Sequence, residues 1–204
     1  MAKRLIPVVL LAALAALAVW WSSSLFDSKP AGAPTGILAS LADPPISGSV
    51  ADFTVAAPAR PAPAVSFSDE AGRALDLNDF AGKLILLNLW ATWCGPCLEE
   101  LPSLDRLQAS LGDDRFQVLA VSVDRKGLAA VKPFFDKLAI RHLGLYLDGT
   151  GTSLAGFEVQ GLPTTILIGP DGTILGMIRK PAAWDSPEAL ALIGFYRERL
   201  FGAP

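Results

Sequence analysis

Cys94 and Cys97 are the only two cysteines of the chain, and they stand in the run Trp93-Cys94-Gly95-Pro96-Cys97. Two thiols at that spacing close a disulfide with almost no chain movement, which suits a pair that cycles between dithiol and disulfide. Thiolate is the reactive form in such exchange. The flanking sequence favours it at Cys94. Leu84 to Trp90 is an apolar run of strand length, and Leu98, Leu101, Leu104, Leu107 and Leu111 recur at the spacing of one helix face. The cysteines therefore sit where a buried strand ends and a helix begins. Pro96 falls in the first turn, where its missing N–H is not needed. Free backbone N–H groups and the positive end of the macrodipole then point at Cys94.

Two blander roles compete. A structural staple closing so short a loop would restrict the unfolded chain by only about 2 kcal/mol. A zinc site normally takes four ligands, and Cys94, Cys97 and the single histidine, His142, do not complete one. No metal is therefore expected, and His142 reads as a surface or structural residue. The first helical turn also carries Glu99 and Glu100, which suit the helix dipole as solvated acids. Glu100 lies three positions beyond Cys97, and so shares its helix face. Pro163, in Gly161-Leu162-Pro163-Thr164-Thr165, reads by itself only as a turn before a strand.

Leu87-Asn88-Leu89-Trp90-Ala91-Thr92-Trp93-Cys94-Gly95-Pro96-Cys97 followed by Gly161-Leu162-Pro163-Thr164-Thr165 resembles the thioredoxin superfamily. More narrowly, it resembles the TlpA-type membrane-anchored thiol–disulfide reductases of the bacterial periplasm. These are relatives of the proteins that keep thiols reduced during cytochrome c and cytochrome oxidase maturation. The resemblance covers roughly Val65 to Leu200 and implies a thioredoxin-like three-layer sandwich with a mixed central sheet. It implies that Cys94 is the exposed nucleophile and Cys97 the buried resolving thiol, with Gly95 and Pro96 tuning the redox potential. It places Trp93 beside the dithiol where a partner docks. It makes Pro163 a cis-proline facing the dithiol, with the Leu162 backbone turned outward to pair with an extended substrate segment. Asn88 stands where cytosolic thioredoxin carries a buried aspartate, and the family's glutamate three residues after the second cysteine is Glu100. The implied partners are disulfide-bearing exported proteins and an upstream membrane thiol carrier; no cofactor is implied. An oxidant or isomerase, and a copper-delivery protein on the same fold, are the competing activities.

The rest of the chain must position this pair. Lys3 and Arg4 precede an apolar segment from Leu5 to Trp21. As a helix rising 1.5 Å per residue it would reach roughly 26 Å, near the lower limit for a bilayer. Basic residues before it and tryptophans after it favour a single-pass anchor with the remainder exported. A cleaved signal peptide is the alternative, with Ala31-Gly32-Ala33 as a poorly placed cleavage site. The expected location is thus the bacterial inner membrane, residues 5–21 spanning it and the domain in the periplasm. Residues 1–26 form the anchor or signal, 27–63 an Ala/Pro-rich linker, and 64–204 the folded domain, with Ile46, Val50, Phe53 and Val55 available for a short strand or for docking. Of 204 residues 51% are hydrophobic and the net charge is −3, enough for one core and with no basic run to suggest a nucleic-acid partner.

Within the domain, Val65–Ser68 and Arg73–Leu77 flank a turn and read as a hairpin. Asn78 is expected to cap a short helical turn. Phe116–Val123 is a strand suited to a sheet covered on both faces, Leu128–Leu138 a helix interrupted by Pro133, Leu143–Leu147 a strand and Ser153–Phe157 a short helix. Pro102 is expected to kink the active-site helix. Thr164–Ile168 and Thr173–Ile178 flank Gly169-Pro170-Asp171-Gly172, a hairpin signal. Ser186-Pro187-Glu188 opens a last helix with cap, proline and acid in their preferred places. Strands alternating with helices, then a hairpin and a final helix, give an α/β sandwich.

Overall fold

The computed structural model describes residues 43–202. The expected anchor and the first part of the linker lie outside the described residues, among which no helix is long and apolar enough to cross a membrane. The described chain is organised on one eight-stranded mixed sheet: β1 (Thr54–Pro61), β2 (Ser66–Asp69), β3 (Ala74–Asp76), β4 (Leu84–Trp90), β5 (Phe116–Ser122), β6 (Tyr146–Leu147), β7 (Thr164–Ile168) and β8 (Thr173–Ile178). Their spatial order is β1-β8-β7-β4-β5-β6-β2-β3. β4 pairs in parallel with β5 and antiparallel with β7, so the strand leading to the cysteines is central and hydrogen-bonded on both sides.

Alternation along β4 and β5 divides the core in two, because successive side chains point to opposite faces. Leu84, Leu86 and Trp90, with Phe116, Val118 and Ala120, face one way. They meet the long helices α1 (Gly95–Leu111), α2 (Leu128–Lys137) and α4 (Pro187–Phe201), which contribute Leu101, Leu104 and Leu107, Val131 and Phe135, and Leu192, Ile193 and Tyr196. Ile85, Leu87 and Leu89 with Leu119, Val121, Ile166 and Ile168 face the other way. That face is covered more thinly, by the five-residue α3 (Thr152–Gly156) with Phe157 after it and by a 3-10 turn, Leu77–Phe80. The thioredoxin-like α/β fold with a mixed sheet is therefore present, and its third layer is slight.

Three expectations change. The linker does not run to residue 63: Gly48–Val50 forms a 3-10 turn, Val50 and Phe53 enter the core, and β1 pairs with β8 at the sheet edge. Asp76, not Asn78, caps the 3-10 turn: its carboxylate accepts from Asn78 N–H while Asp79 closes a capping box. The strand expected over 143–147 shrinks to Tyr146–Leu147. Asp105 on α1 accepts the backbone N–H groups of Arg141, His142 and Leu143 at 3.0, 2.7 and 3.0 Å, so those donors are taken and cannot join a ladder. Pro102 and Pro133 are each carried inside an undivided helix.

Candidate active site

β4 delivers the chain to the sheet end where Ala91, Thr92 and Trp93 form a short loop, and Cys94 is the N-cap of α1. Cys94 and Cys97 are joined in a disulfide with Cα atoms 5.3 Å apart, so the site is in its oxidised state. Cys97 N–H points at Cys94 Sγ at 3.3 Å, which is the backbone donor an N-cap sulfur accepts. Cys97 has no exposed surface and Cys94 only 6%. Cys94 is thus less open than expected of an exposed nucleophile, although it is the more accessible of the two cysteines. Around it Gly95 and Pro96 are exposed, and Trp93 is 71% exposed, the one large hydrophobic side chain so open among the described residues.

Thr92 is anchored from the end of β5. Its N–H and Oγ1 donate to Asp124 at 2.8 and 2.7 Å, and Ser122 Oγ donates to the same carboxylate at 2.8 Å. The loop that presents Trp93 and Cys94 is therefore held by a buried carboxylate that sequence patterning did not single out. Opposite, β7 begins at Thr164, which pairs with Leu89 near the end of β4. The Leu162–Pro163 peptide bond just before it is cis, as the resemblance implied. Leu162 packs on the apolar cluster that contains both cysteines, and its N–H and C=O make no backbone hydrogen bond within the described chain.

Behind the disulfide lies Glu100, 3% exposed, while Glu99 beside it is exposed. Asn88 on β4 donates through Nδ2 to Glu100 Oε1 at 2.7 Å and to Thr165 Oγ1 at 2.9 Å; Asn88 and Thr165 are cross-strand partners, which sets that bond. Ala182 N–H and the Trp184 indole donate to Oε2 at 3.1 and 3.3 Å. Burial disfavours the charged form and pushes the carboxyl up from 4.5 to about 7, against the pull of the Ala182, Asn88 and Trp184 hydrogen bonds. An acid poised there exchanges protons near neutrality, which an ordinary glutamate does not. His142 is exposed and lies on the Arg141–Leu143 segment that Asp105 holds, apart from this network.

Cys94, Cys97, Glu100, Trp93, Gly95 and Pro96 are brought together by a single strand–loop–helix turn, and Leu162 and Pro163 reach the same end of the sheet from β7. Trp184, Ala182, Ser103 and Asp124 complete the surroundings without having been marked in the sequence. A mixed sheet with a disulfide at the start of the helix after a central strand defines a thioredoxin-type thiol–disulfide protein.

The chain belongs to the AhpC/TSA family, whose model matches residues 58–177. It is 31% identical over 118 residues to the thiol-disulfide oxidoreductase ResA of Bacillus thuringiensis subsp. konkukian, a match covering 58% of this chain and 67% of that one. Among solved structures it resembles a thiol-disulfide oxidoreductase from Bacteroides fragilis, at 28% identity and TM-score 0.56, covering 68% of this chain and 98% of that one. It likewise resembles the pneumococcal exposed lipoprotein thioredoxin Etrx1 of Streptococcus pneumoniae, at 27% identity and TM-score 0.54, covering 66% and 98%. The activity class is thiol–disulfide oxidoreductase.

Proposed function

We propose that the protein is a membrane-held reductase of disulfides in exported proteins, working through Cys94 and Cys97. The observation that carries this reading is the asymmetric pair at the helix start, with one nearly covered and one fully covered cysteine, backed by a buried carboxyl poised near neutrality. In the reduced protein the Cys94 thiolate attacks one sulfur of a partner's disulfide. A mixed disulfide forms and the partner's other sulfur leaves as a thiolate. Cys97 then gives its proton to Glu100, one helical turn away, and its thiolate attacks the Cys94 sulfur. The partner's second thiolate is released, and the protein is left as the disulfide seen in this structure. Two electrons from the dithiol of an upstream membrane thiol carrier restore it.

Trp93, Gly95, Pro96, Leu162 and Pro163 form the docking surface, with the unpaired Leu162 backbone positioned for an extended segment of the partner. Residues 5–21 anchor the chain in the bacterial inner membrane, the segment after them is a tether, and the folded domain works in the periplasm. This reading is supported by Lys3 and Arg4 before the apolar run and by Trp20 and Trp21 at its end. Cytochrome c and cytochrome oxidase maturation, named by the TlpA-type resemblance, supply the partner class.

Cys97→Ala in cells should accumulate mixed disulfides with exported proteins, and Cys94→Ala should not; faster alkylation of Cys97 than of Cys94 in the reduced protein would reverse the assignment. The reduction potential decides the direction. It should lie near thioredoxin's, at about −270 mV, and a value near −120 mV would make the protein an oxidant instead.

A further inference from the structure

The loop from Ile178 to Pro187, between β8 and α4, reaches Glu100 with two groups that donate and cannot accept. Ala182 N–H and Trp184 Nε1–H both point at Oε2. Neither a backbone amide nor an indole N–H offers a lone pair. A proton arriving at Glu100 therefore finds Oε2 already surrounded by hydrogens. Oε1 faces only the Asn88 amide. The other end of that amide, Oδ1, is buried with no hydrogen-bond partner. Turned over, the amide would offer this oxygen to a protonated Oε1 and to the Thr165 hydroxyl.

The indole is held in place by more than its bond to Glu100. Trp184 is fully buried, and its backbone N–H donates to Ser103 Oγ at 3.0 Å. Ser103 Oγ in turn donates to the Glu100 backbone carbonyl at 2.7 Å, and Asp185 pairs with Arg106 on α1 at 2.6 Å. Asn88, Ala182 and Trp184 are thus the hydrogen-bond partners of the carboxyl, none of them an acid or base near neutral pH, and Cys97 lies one helical turn back on α1. The charged pairs on the same elements, Arg106–Asp185 and Lys180–Asp52, lie at the exposed surface, and Asp105 is turned to the Arg141–Leu143 backbone.

We propose that Trp184 is a positioning residue for proton transfer from Cys97: with the Ala182 amide, its indole N–H keeps Oε2 as a hydrogen-bond acceptor and directs the proton to Oε1, on the Asn88 side. The proton leaves Cys97 as its sulfur becomes the attacking thiolate, and it resides on Oε1 while the Cys94–Cys97 bond forms. This rests on Glu100 being the proton partner of Cys97.

Trp184→Phe keeps most of the ring and removes the donor. The reduced protein is mixed with an aromatic disulfide that loads Cys94 with thionitrobenzoate, and release of the second thionitrobenzoate anion reports Cys97 attack across about pH 5 to about pH 9. Losing one hydrogen bond to the charged carboxylate should move the midpoint of this profile upward by about one pH unit. Arg106→Ala breaks the surface pair with Asp185 and loosens the loop without removing an Oε2 donor; it should leave the midpoint in place. An unmoved midpoint in Trp184→Phe, while Glu100→Gln still abolishes the pH dependence, overturns the role of the indole and leaves Glu100 intact. A profile unchanged by Glu100→Gln overturns the role of Glu100, and this proposal with it. Should Trp184→Phe fold poorly, the unaltered protein supplies the answer. Its Trp184 indole proton resonance should shift with pH through the same midpoint and stay flat in Glu100→Gln, and a flat resonance in the parent protein refutes the proposal.

Discussion

Replacing Glu100 by Gln should change how the stability of the oxidised protein depends on pH. An acid whose pKa is raised by folding binds its proton more tightly in the folded state, so its ionisation costs stability. That cost is absent below the ordinary value of 4.5, grows as pH rises, and is complete above about 7. A rise of about 2.5 pH units at about 1.4 kcal/mol per unit amounts to about 3.5 kcal/mol, of which about 3 kcal/mol develops between about pH 4 and about pH 8. Gln is a neutral isostere of the protonated acid and carries no such cost. Its carbonyl can accept from Ala182 and Trp184, and its amide can face the free Oδ1 of Asn88 if the Asn88 side chain turns over. Urea unfolding of the disulfide form of both proteins, at about pH 4 and about pH 8, measures the effect, and the disulfide keeps the cysteines from titrating. The parent should lose about 3 kcal/mol more than the variant on going to the higher pH. Asp113, Asp148 and Asp185 are all held below the ordinary carboxylate value, and they cancel in the comparison because both proteins contain them. Parallel pH dependences in the two proteins would show that burial does not hold this carboxyl up, and the mechanistic role assigned to it would lose its physical basis.

Trp93→Ala should leave stability within about 0.5 kcal/mol, since the side chain is mostly exposed, while lowering kcat/KM for protein disulfides and sparing small-molecule ones; equal loss on both substrate types would argue against a docking role. Asp124→Ala removes the acceptor for the Thr92 N–H, the Thr92 hydroxyl and the Ser122 hydroxyl. It should cost about 2–4 kcal/mol in denaturant unfolding, and a loss well under 1 kcal/mol would mean that water replaces the carboxylate. N-terminal sequencing of protein extracted from membranes should recover the uncleaved start, and a mature terminus near Pro34 would refute the anchor.

What could be read from the sequence follows from how local each determinant is. The buried strands β4 and β5 and the helix after them show in runs of apolar residues because their stability comes from side-chain burial. β1 was hidden for the opposite reason. Five of its eight residues are Ala or Pro and most of its side chains are exposed, so what holds it is backbone pairing with β8. Ile46, Val50, Phe53 and Val55 gave the sign of a short strand or of docking; Val50 and Phe53 are buried, and Val55 lies in β1. The segment before β6 failed differently. Leu143 and Leu145 are buried as expected, but a single carboxylate 36 to 38 residues away takes the backbone donors at 141–143, and no local pattern announces that.

The same distinction explains the site. Cys94, Cys97 and Glu100 lie within two helical turns, so spacing alone aligned them and set Glu99 aside. What turns Glu100 from a solvated first-turn acid into a carboxyl poised near neutrality is not local. Its burial requires the loop after β8 to close over α1, and its remaining charge is tolerated because Ala182 and Trp184 arrive from more than 80 residues away with donors for one oxygen. Helix position therefore supplies the alignment with Cys97, and the distant loop supplies the pKa. A chain with the same Cys-Gly-Pro-Cys-x-x-Glu run but without a donor-bearing loop over the helix would keep the thiol pair. Its carboxyl would then either stay hydrated with an ordinary pKa or, if buried without donors, remain protonated through neutral pH. In neither case could it take a proton from Cys97 at the pH where the exchange has to run.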